Sequence, residues 1–222
     1  MEFANRLIPG AVVALVTIFG LPAQNAHALP VSLLPNSDFA AGLGDWSTQY
    51  VGPSAPGPTC CSGPFAVTGP GQVTGDFDGE AGGGINFYEA ITLDGGYADA
   101  ALSFTYSPFG EYFGTDRTLS VIIRDATNTI DQANLFATDV PNSDFGASHS
   151  VSITGLATVL NALLPGTYDF NFYEFTPQSY SGPGSMTLSD ISFTATAAPE
   201  PASVMLLGTG MLGLLLTRRK PA

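Results

Sequence analysis

Residues able to perform catalytic chemistry are scarce in this 222-residue chain. Histidine occurs only at His27 and His149, and the one lysine is Lys220. The sequence contains neither a Gly-x-Ser-x-Gly elbow nor a His-x-x-x-His pair, so it indicates neither a serine hydrolase nor a helical zinc site. His149 lies in a serine-rich, turn-like stretch, and we expect a surface position for it. These residue types favour a non-catalytic role.

Aromatic side chains are better candidates for chemistry, because the C–H faces of sugar rings stack on aromatic rings while Asp and Asn bind hydroxyls. Trp46 is expected mainly to close one end of the domain, with sugar contact as the alternative. Trp46, Tyr50 and Tyr112 are the predicted ligand contacts. The wider set expected in or beside loops is Trp46, Tyr50, Tyr106, Tyr112 and Tyr180.

Two short clusters contain residue types that can bind a metal ion or form a disulfide. The run Asp76–Glu80 looks like a fragment of a calcium loop but lacks the full EF-hand spacing, and we interpret it as a solvated acidic turn. Cys60 and Cys61 are adjacent and are the only cysteines. They can join only through a strained ring, or they can pair between molecules.

The N-terminus has the features of an export signal. Arg6 precedes an apolar run over residues 7–21, and Ala26 and Ala28 form a small-x-small cleavage site. Signal peptidase is expected to cut after Ala28 and leave Leu29 as the mature N-terminus. The alternative is a retained N-terminal anchor.

The C-terminus has three consecutive parts: Pro199-Glu200-Pro201, an uncharged stretch over residues 202–216, and Arg218-Arg219-Lys220. A 15-residue helix is roughly 22 Å long, slightly shorter than the ~30 Å hydrocarbon core, and the basic end should stay cytoplasmic. This order resembles the PEP-CTERM sorting signal of Gram-negative, exopolysaccharide-producing bacteria. The resemblance implies transient membrane anchoring and cleavage near Pro-Glu-Pro by exosortase, a membrane transpeptidase.

The charge between the two ends is strongly negative. Residues 29–198 contain two basic residues, Arg117 and Arg124, against 17 acidic ones, for a net charge of −15. Nucleic-acid binding is excluded because phosphate contacts need Lys and Arg. An anionic membrane surface would repel this domain, whereas a neutral sugar, a divalent cation or a hydrated matrix is compatible with it.

The alternation of apolar residues predicts an all-β fold in residues 29–198. Short strands recur about every ten residues with turn signals between them, which is typical of a β-sandwich. Residues 50–84 are rich in Gly and Pro and are expected to lack long strands, residues 107–116 to form a loop, and residues 156–164 to hold a helical turn. Predicted strands cover residues 85–93, 101–106, 119–123, 151–153, 167–175 and 186–196.

The last predicted strand contains an irregularity. Met186 and Leu188 have one parity, whereas Ile191 and Phe193 have the other. All four can face the core only if an extra residue is inserted near Ser189-Asp190, which predicts a β-bulge.

Two segments resemble galactose-binding-like, jelly-roll domains, which include many carbohydrate-binding modules. They are the opening Asn36–Trp46, with Ala40 in place of the usual Glu, and the final strand Leu188–Phe193, with Ser189 in place of an Asp. The resemblance implies a jelly-roll-like β-sandwich and nominates Asn36, Asp38 and Asp190 as ligands of a structural calcium. The alternative for Asp190 is a backbone hydrogen bond within the bulge.

The sequence therefore predicts three parts: a signal peptide (1–28), an extracellular β-sandwich (29–198) and a sorting tail (199–222). We expect delivery to the cell surface or extracellular matrix and a non-catalytic role, adhesive or exopolysaccharide-binding. The alternative is a secreted glycan-active enzyme whose carboxylate pair is assembled by the fold.

Overall fold

The computed structural model describes residues 28–55, 57, 64–110, 116–126, 131–176 and 183–199. Within these ranges the chain forms two antiparallel sheets, one short helix, α1 (Ala157–Asn161), and a 3₁₀ turn at Asn142–Asp144. The strands are β1 (Val31–Ser32), β2 (Trp46–Val51), β3 (Phe65–Gly69), β4 (Gln72–Phe77), β5 (Gly84–Leu93), β6 (Tyr97–Gly110), β7 (Arg117–Asp125), β8 (Asp131–Val140), β9 (His149–Ile153), β10 (Gly166–Phe175) and β11 (Gly184–Ala197).

The two sheets pack face to face as a sandwich. The six-stranded sheet has the order β3-β4-β11-β6-β9, with β1 paired to β11, and the five-stranded sheet has the order β2-β5-β10-β7-β8. Aromatic side chains interlock between them: the ring of Phe104 meets Phe172 edge to face at 5.1 Å, and Phe170 stacks on Phe193 at 5.1 Å. The chain is thus an all-β sandwich, as its sequence predicts.

Period-two burial explains the core. In β5 the side chains of Ile85, Phe87, Ile91 and Leu93 point inward and are buried. Fully burying an aliphatic or aromatic side chain of this size contributes roughly 1.5–3 kcal/mol, so alternation along each strand fixes which face becomes the core. The six predicted strands all lie within observed strands, and α1 supplies the predicted helical turn.

The Gly/Pro-rich stretch over residues 50–84 contains the short strands β3 and β4, of five and six residues, and so lacks long strands in its described part, as expected. Gly75 in β4 leaves no room for a side chain: a Cβ there would collide with the ring of Phe65 and the end of Ile85. Asp76 belongs to β4 and is fully buried, so its assignment to a solvated turn is wrong. The predicted loop over 107–116 is also wrong in part, since β6 continues to Gly110.

The predicted bulge in β11 is confirmed. The register against β6 shifts between Ser189 and Ser192, and Asp190 adopts a positive φ of 53°. The extra residue lets Leu188 and Ile191 both face the core, where they are 1 % and 4 % exposed.

Candidate functional site

A repeated tetrapeptide lies at the centre of the five-stranded sheet. The sequence Asn-Phe-Tyr-Glu occurs at residues 86–89 in β5 and again at residues 171–174 in β10. The two strands pair antiparallel with Phe87 opposite Phe172, so Asn86 lies opposite Tyr173 and Tyr88 lies opposite Asn171. A local two-fold axis through the Phe87–Phe172 pair therefore relates the two copies.

The outer side of this repeat forms the amide–tyrosine face, which we define as Asn86, Tyr88, Asn171 and Tyr173. The amides are nearly covered, with Asn86 5 % and Asn171 1 % exposed, and the tyrosines are half-buried. Neither Asn Oδ1 has a hydrogen-bond partner. A buried amide oxygen without a donor costs roughly 1–3 kcal/mol, and the two amides lie diagonally across the β5–β10 pair, so this face has two acceptors that a donor could still satisfy.

Charged and aromatic groups border the amide–tyrosine face. The Tyr173 ring lies 5.5 Å from that of Phe175, and Arg124 in β7 binds Asp131 through Nε at 2.9 Å. Burial raises the pKa of Asp169, opposed by Arg124, and burial also raises the pKa of the Tyr173 hydroxyl. The tyrosine therefore stays a neutral hydrogen-bonding group at physiological pH.

The inner side of the repeat places two glutamates in the core. Glu89 and Glu174 are each 2 % exposed, and none of their carboxylate oxygens has a hydrogen-bond partner. Burial raises the pKa of Glu89 to about 7, reinforced by Asp45 and opposed by the backbone N–H of Asn36. Burial also raises the pKa of Glu174 to about 7, opposed by Arg117, whose Nη1 lies 3.7 Å away.

The predicted calcium ligands are only partly brought together. Asp38 and Asp190 line one small open cavity of about 160 Å³ with Ser37. Asn36 instead organises its own loop, because its amide donates to the Gly42 carbonyl at 2.9 Å and accepts the Ala41 N–H at 3.4 Å.

The donor set for such an ion is small. Ca²⁺ takes six to eight oxygens, and the carboxylates of Asp38 and Asp190 supply only part of that number. One oxygen of each already accepts a hydrogen bond, from the Ala40 N–H and the Ser189 hydroxyl respectively. No group of three or more His, Cys, Asp or Glu able to hold a metal occurs in the part of the chain that the structure describes. Calcium binding remains a prediction.

The predicted aromatic contacts occupy different environments. Trp46 is 5 % exposed, stacks on Phe87 at 4.1 Å and donates its indole N–H to the Asn36 carbonyl, so it serves the core and not a ligand. Tyr106 is also buried on an inner face. Tyr50 is half-buried, and burial raises its pKa to about 12, reinforced by Asp76 and Asp78. Tyr112 and Tyr180 lie outside the described residues, as do Cys60 and Cys61.

His149 is more constrained than its predicted surface position suggests. Its ring stacks on Tyr106 at 4.9 Å, and its Nε2 lies 3.6 Å from the Asp144 carboxylate. The side chain is 32 % exposed, so it closes one edge of the sandwich and has no reactive neighbour beyond Asp144 among these contacts.

The amide–tyrosine face was not predicted, because ligand contacts were expected in loops. The repeated Asn-Phe-Tyr-Glu was a usable signal, since it places Asn and Tyr on one strand face and Phe and Glu on the other.

Comparison with known proteins identifies the tail and the fold. The family model of the PEP-CTERM protein-sorting motif matches residues 197–220, so the predicted sorting signal is confirmed. This motif implies export and a C-terminal anchor region. Among the helices of the described residues, none has the length and apolar character to cross a membrane.

Solved structures similar to this chain include carbohydrate-binding module β-sandwiches, adhesin domains and an enzymatically active domain of a bacteriophage tailspike. The structure described as "CBM4 structure and function" is 12 % identical, with a TM-score of 0.50, and the match covers 74 % of this chain and 99 % of that one. The K3 adhesin domain of Lys-gingipain from Porphyromonas gingivalis W83 is 13 % identical, with a TM-score of 0.48 and coverage of 74 % and 99 %. TmCBM61 in complex with β-1,4-galactotriose is 11 % identical, with a TM-score of 0.43 and coverage of 73 % and 97 %.

At 12 % identity the match with a TM-score of 0.50 concerns the fold alone. No curated protein matches the sequence.

Proposed function

We propose that this chain is an exported, non-catalytic glycan-binding protein of the cell surface or extracellular matrix, and that the amide–tyrosine face is its binding site. The observation that carries the proposal is the pair of unpartnered amide oxygens, on Asn86 and Asn171, beside two tyrosines on one sheet face. The sorting motif supports the export half of the proposal.

Sugar chemistry fits this face. Sugar hydroxyls that move the neighbouring side chains aside would donate to the two amide oxygens, and the tyrosine rings would stack on apolar C–H faces. The local two-fold axis relates the backbone of the two Asn-Tyr pairs, so each pair should contact its own sugar unit. The flanking strands differ, with Gln49 opposite Asn86 and Ile122 opposite Asn171.

The charge around the amide–tyrosine face favours neutral over anionic sugars. Arg124 is already paired with Asp131, and Asp169 lies directly opposite Arg124 in the sheet, so the border of the face is acidic overall. The domain carries a net charge of −15 as well. A neutral polysaccharide is therefore favoured over a uronic-acid polymer, because like charges repel.

The binding proposal is tested with purified protein and three neutral probes: a β-glucan, a β-galactan and a β-mannan. Affinity electrophoresis measures retention, and reducing-end release from the same polymers measures turnover. Retention of at least one polymer without turnover is the expected result. Turnover would support the alternative of a glycan-active enzyme, and absence of both from all three polymers would contradict the binding proposal.

The processing proposal concerns signal peptidase and exosortase. Signal peptidase should cut after Ala28, so N-terminal sequencing of exported protein should begin at Leu29. Exosortase should cut near Pro199-Glu200-Pro201, because proline is unfavourable in a helix and should leave this site accessible at the membrane surface.

Changing Pro199-Glu200-Pro201 to three alanines should block this cut in an exosortase-containing host. The larger precursor should then accumulate in the membrane fraction, as judged by immunoblot. Deleting Arg218 to Lys220 is the matched variant, and it should instead release unprocessed protein into the periplasm. Wild-type release of the triple-alanine variant would show that the tail is only an anchor.

A further inference from the structure

Both termini leave the sandwich at the same end. β1 runs antiparallel to β11 with Val31 opposite Ala195, so residues before Val31 lie beside residues after Ala195. The Ala198 N–H donates to the Gly96 carbonyl at 2.7 Å, which ties the end of β11 to the β5–β6 turn. We call this end the base and define it by residues 29–31, 94–97, 164–166 and 197–199.

The base also contains the α1–β10 connection. Gly166 lies opposite Leu93, at the end of β5. The side chain of Pro165 comes within 3.9 Å of the Cβ position of Gly95, and the Tyr168 hydroxyl donates to the Leu164 carbonyl at 2.7 Å. These contacts hold Leu164 at the same end as the two termini.

Exposed apolar side chains concentrate at the base. Leu29 is 83 %, Val31 58 % and Leu164 79 % exposed. They are three of the five large exposed hydrophobic residues in the described ranges, the others being Val67 and Phe109. Single exposed apolar residues need no explanation, but three at the end where the chain continues into an apolar tail point to a shared environment.

The tail begins directly at the base. The matched sorting motif starts at Ala197, the last residue of β11, and the uncharged stretch over 202–216 follows Pro199-Glu200-Pro201 without any linker. Three extended residues span at most about 10 Å, so a tail anchored in the bilayer would hold the base close to the lipid headgroups.

We propose that the base is a membrane-facing foot whose exposed Leu29, Val31 and Leu164 enter the headgroup region while the tail anchors the precursor. This inference rests on the anchoring role of the tail and is independent of glycan binding. Tyr97 and Tyr168 lie at the same end, but their rings pack against the core and their hydroxyls bond the Asp94 N–H and the Leu164 carbonyl, so the contact rests on the three exposed aliphatic side chains.

Charge limits the depth of this contact. Asp94 lies in the β5–β6 turn, and Asp125 lies opposite Tyr168. Their carboxylates keep the contact shallow, and anionic lipids weaken it within about a Debye length, ~10 Å. The foot therefore orients a domain that is already tethered and does not bind membranes alone.

The orientation has a consequence for the rest of the domain. β6 runs from Tyr97 at the base to Gly110 at the opposite end, and twelve residue steps from Tyr97 to Phe109 at about 3.3 Å each give roughly 40 Å. Both outer sheet faces, including the amide–tyrosine face, then stand upright on the membrane and remain open to solvent.

Lipid quenching tests the foot with the precursor that begins at Leu29 and retains the tail, in phosphatidylcholine vesicles that contain brominated lipids. Leu164→Trp reports on the base, and Phe109→Trp is the matched control, since Phe109 is 50 % exposed at the far end of β6. Trp46 is buried and provides a constant background in both variants. The tryptophan at position 164 should lose most of its emission and the one at position 109 almost none, and partial replacement by anionic lipid should reduce the quenching at 164.

The outcomes separate the foot from the anchor. If the precursor floats with the vesicles but the tryptophan at position 164 is not quenched, the proposed contact of the base with lipid is wrong, while anchoring by the tail is supported. If the precursor does not float, both are wrong. Equal quenching at 164 and 109 would also overturn the foot, because the domain would then lie without a preferred end toward the lipid.

Discussion

The two copies of Asn-Phe-Tyr-Glu have the same sequence and different inner surroundings. On the outer face they build Asn-Tyr pairs whose backbone positions a local two-fold axis relates. On the inner face, Glu89 lies between Trp46 and Phe170 across the neighbouring strands, whereas Glu174 lies 3.7 Å from Arg117. The repeat therefore gives two-fold symmetry to the backbone of the β5–β10 pair. The surroundings of each inner glutamate are set by other residues, which differ between the two copies.

Arg117 is the residue that makes the two copies differ most. It is fully buried, and its guanidinium lies over the rings of Phe77 at 4.7 Å and Phe145 at 4.9 Å. Arg117→Met should remove the positive charge beside Glu174 and lower the free energy of unfolding by about 3–5 kcal/mol at pH 8. Urea unfolding measures this loss.

The control for Arg117→Met is the double variant with Glu174→Gln. Neutralising Glu174 removes the uncompensated charge, so the double variant should recover part of the lost stability. If the double variant is no more stable than Arg117→Met alone, Arg117 acts through packing and not through Glu174.

Among its contacts in the described residues, Glu89 has no cation comparable to Arg117. The raised pKa of Glu89 makes the free energy of unfolding depend on pH. Its folded pKa of about 7 exceeds the unfolded value near 4.5, so the folded state retains a proton that the unfolded state loses. The associated stability is fully present below about pH 4.5 and is lost as the pH rises through about 7. By this linkage Glu89 contributes a change of up to about 3 kcal/mol.

Glu89→Gln should remove the part of this pH dependence that belongs to Glu89 and leave the part that belongs to Glu174, whose pKa is also about 7. It should raise stability at pH 8 relative to wild type, while changing little at pH 4. Unfolding midpoints measured across this range test the assignment. Asp45→Asn is the matched variant, and it should reduce the slope only slightly, because Asp45 is a smaller cause of the raised Glu89 pKa than burial. An unchanged slope in Glu89→Gln would mean that Glu89 does not titrate as described.

Several features of the fold follow from sequence alone, and others depend on distant pairing. The parity change between Leu188 and Ile191 was enough to predict the bulge, because both side chains need the core. Sequence patterns do not predict β4, because Gly75 is unfavourable in an isolated strand. In the fold a glycine is needed at this position, since a Cβ would collide with the Phe65 ring. The amide–tyrosine face needs Asn86 and Tyr173 in register, which single-strand patterns cannot supply.

Removal of calcium has the smallest expected effect on stability. It concerns the loop that precedes β2. If Asp38 and Asp190 hold an ion, chelator should lower the melting temperature, because an ion that binds only the folded state stabilises it by mass action. Asp190→Asn should abolish the chelator effect, and Asp99→Asn is a control elsewhere in the six-stranded sheet. A melting temperature that chelator does not change would leave Asp190 as a residue of the bulge alone.

Glycan affinity of matched variants tests the central claim most directly. Asn86→Ala and Asn171→Ala should each weaken retention by whichever neutral polymer binds, by about 1 kcal/mol or roughly fivefold. Ser103→Ala with Thr105→Ala, on the outer face of the other sheet, should leave retention unchanged. Unchanged retention in the Asn86→Ala, Asn171→Ala double variant, with the fold intact by circular dichroism, would contradict the account.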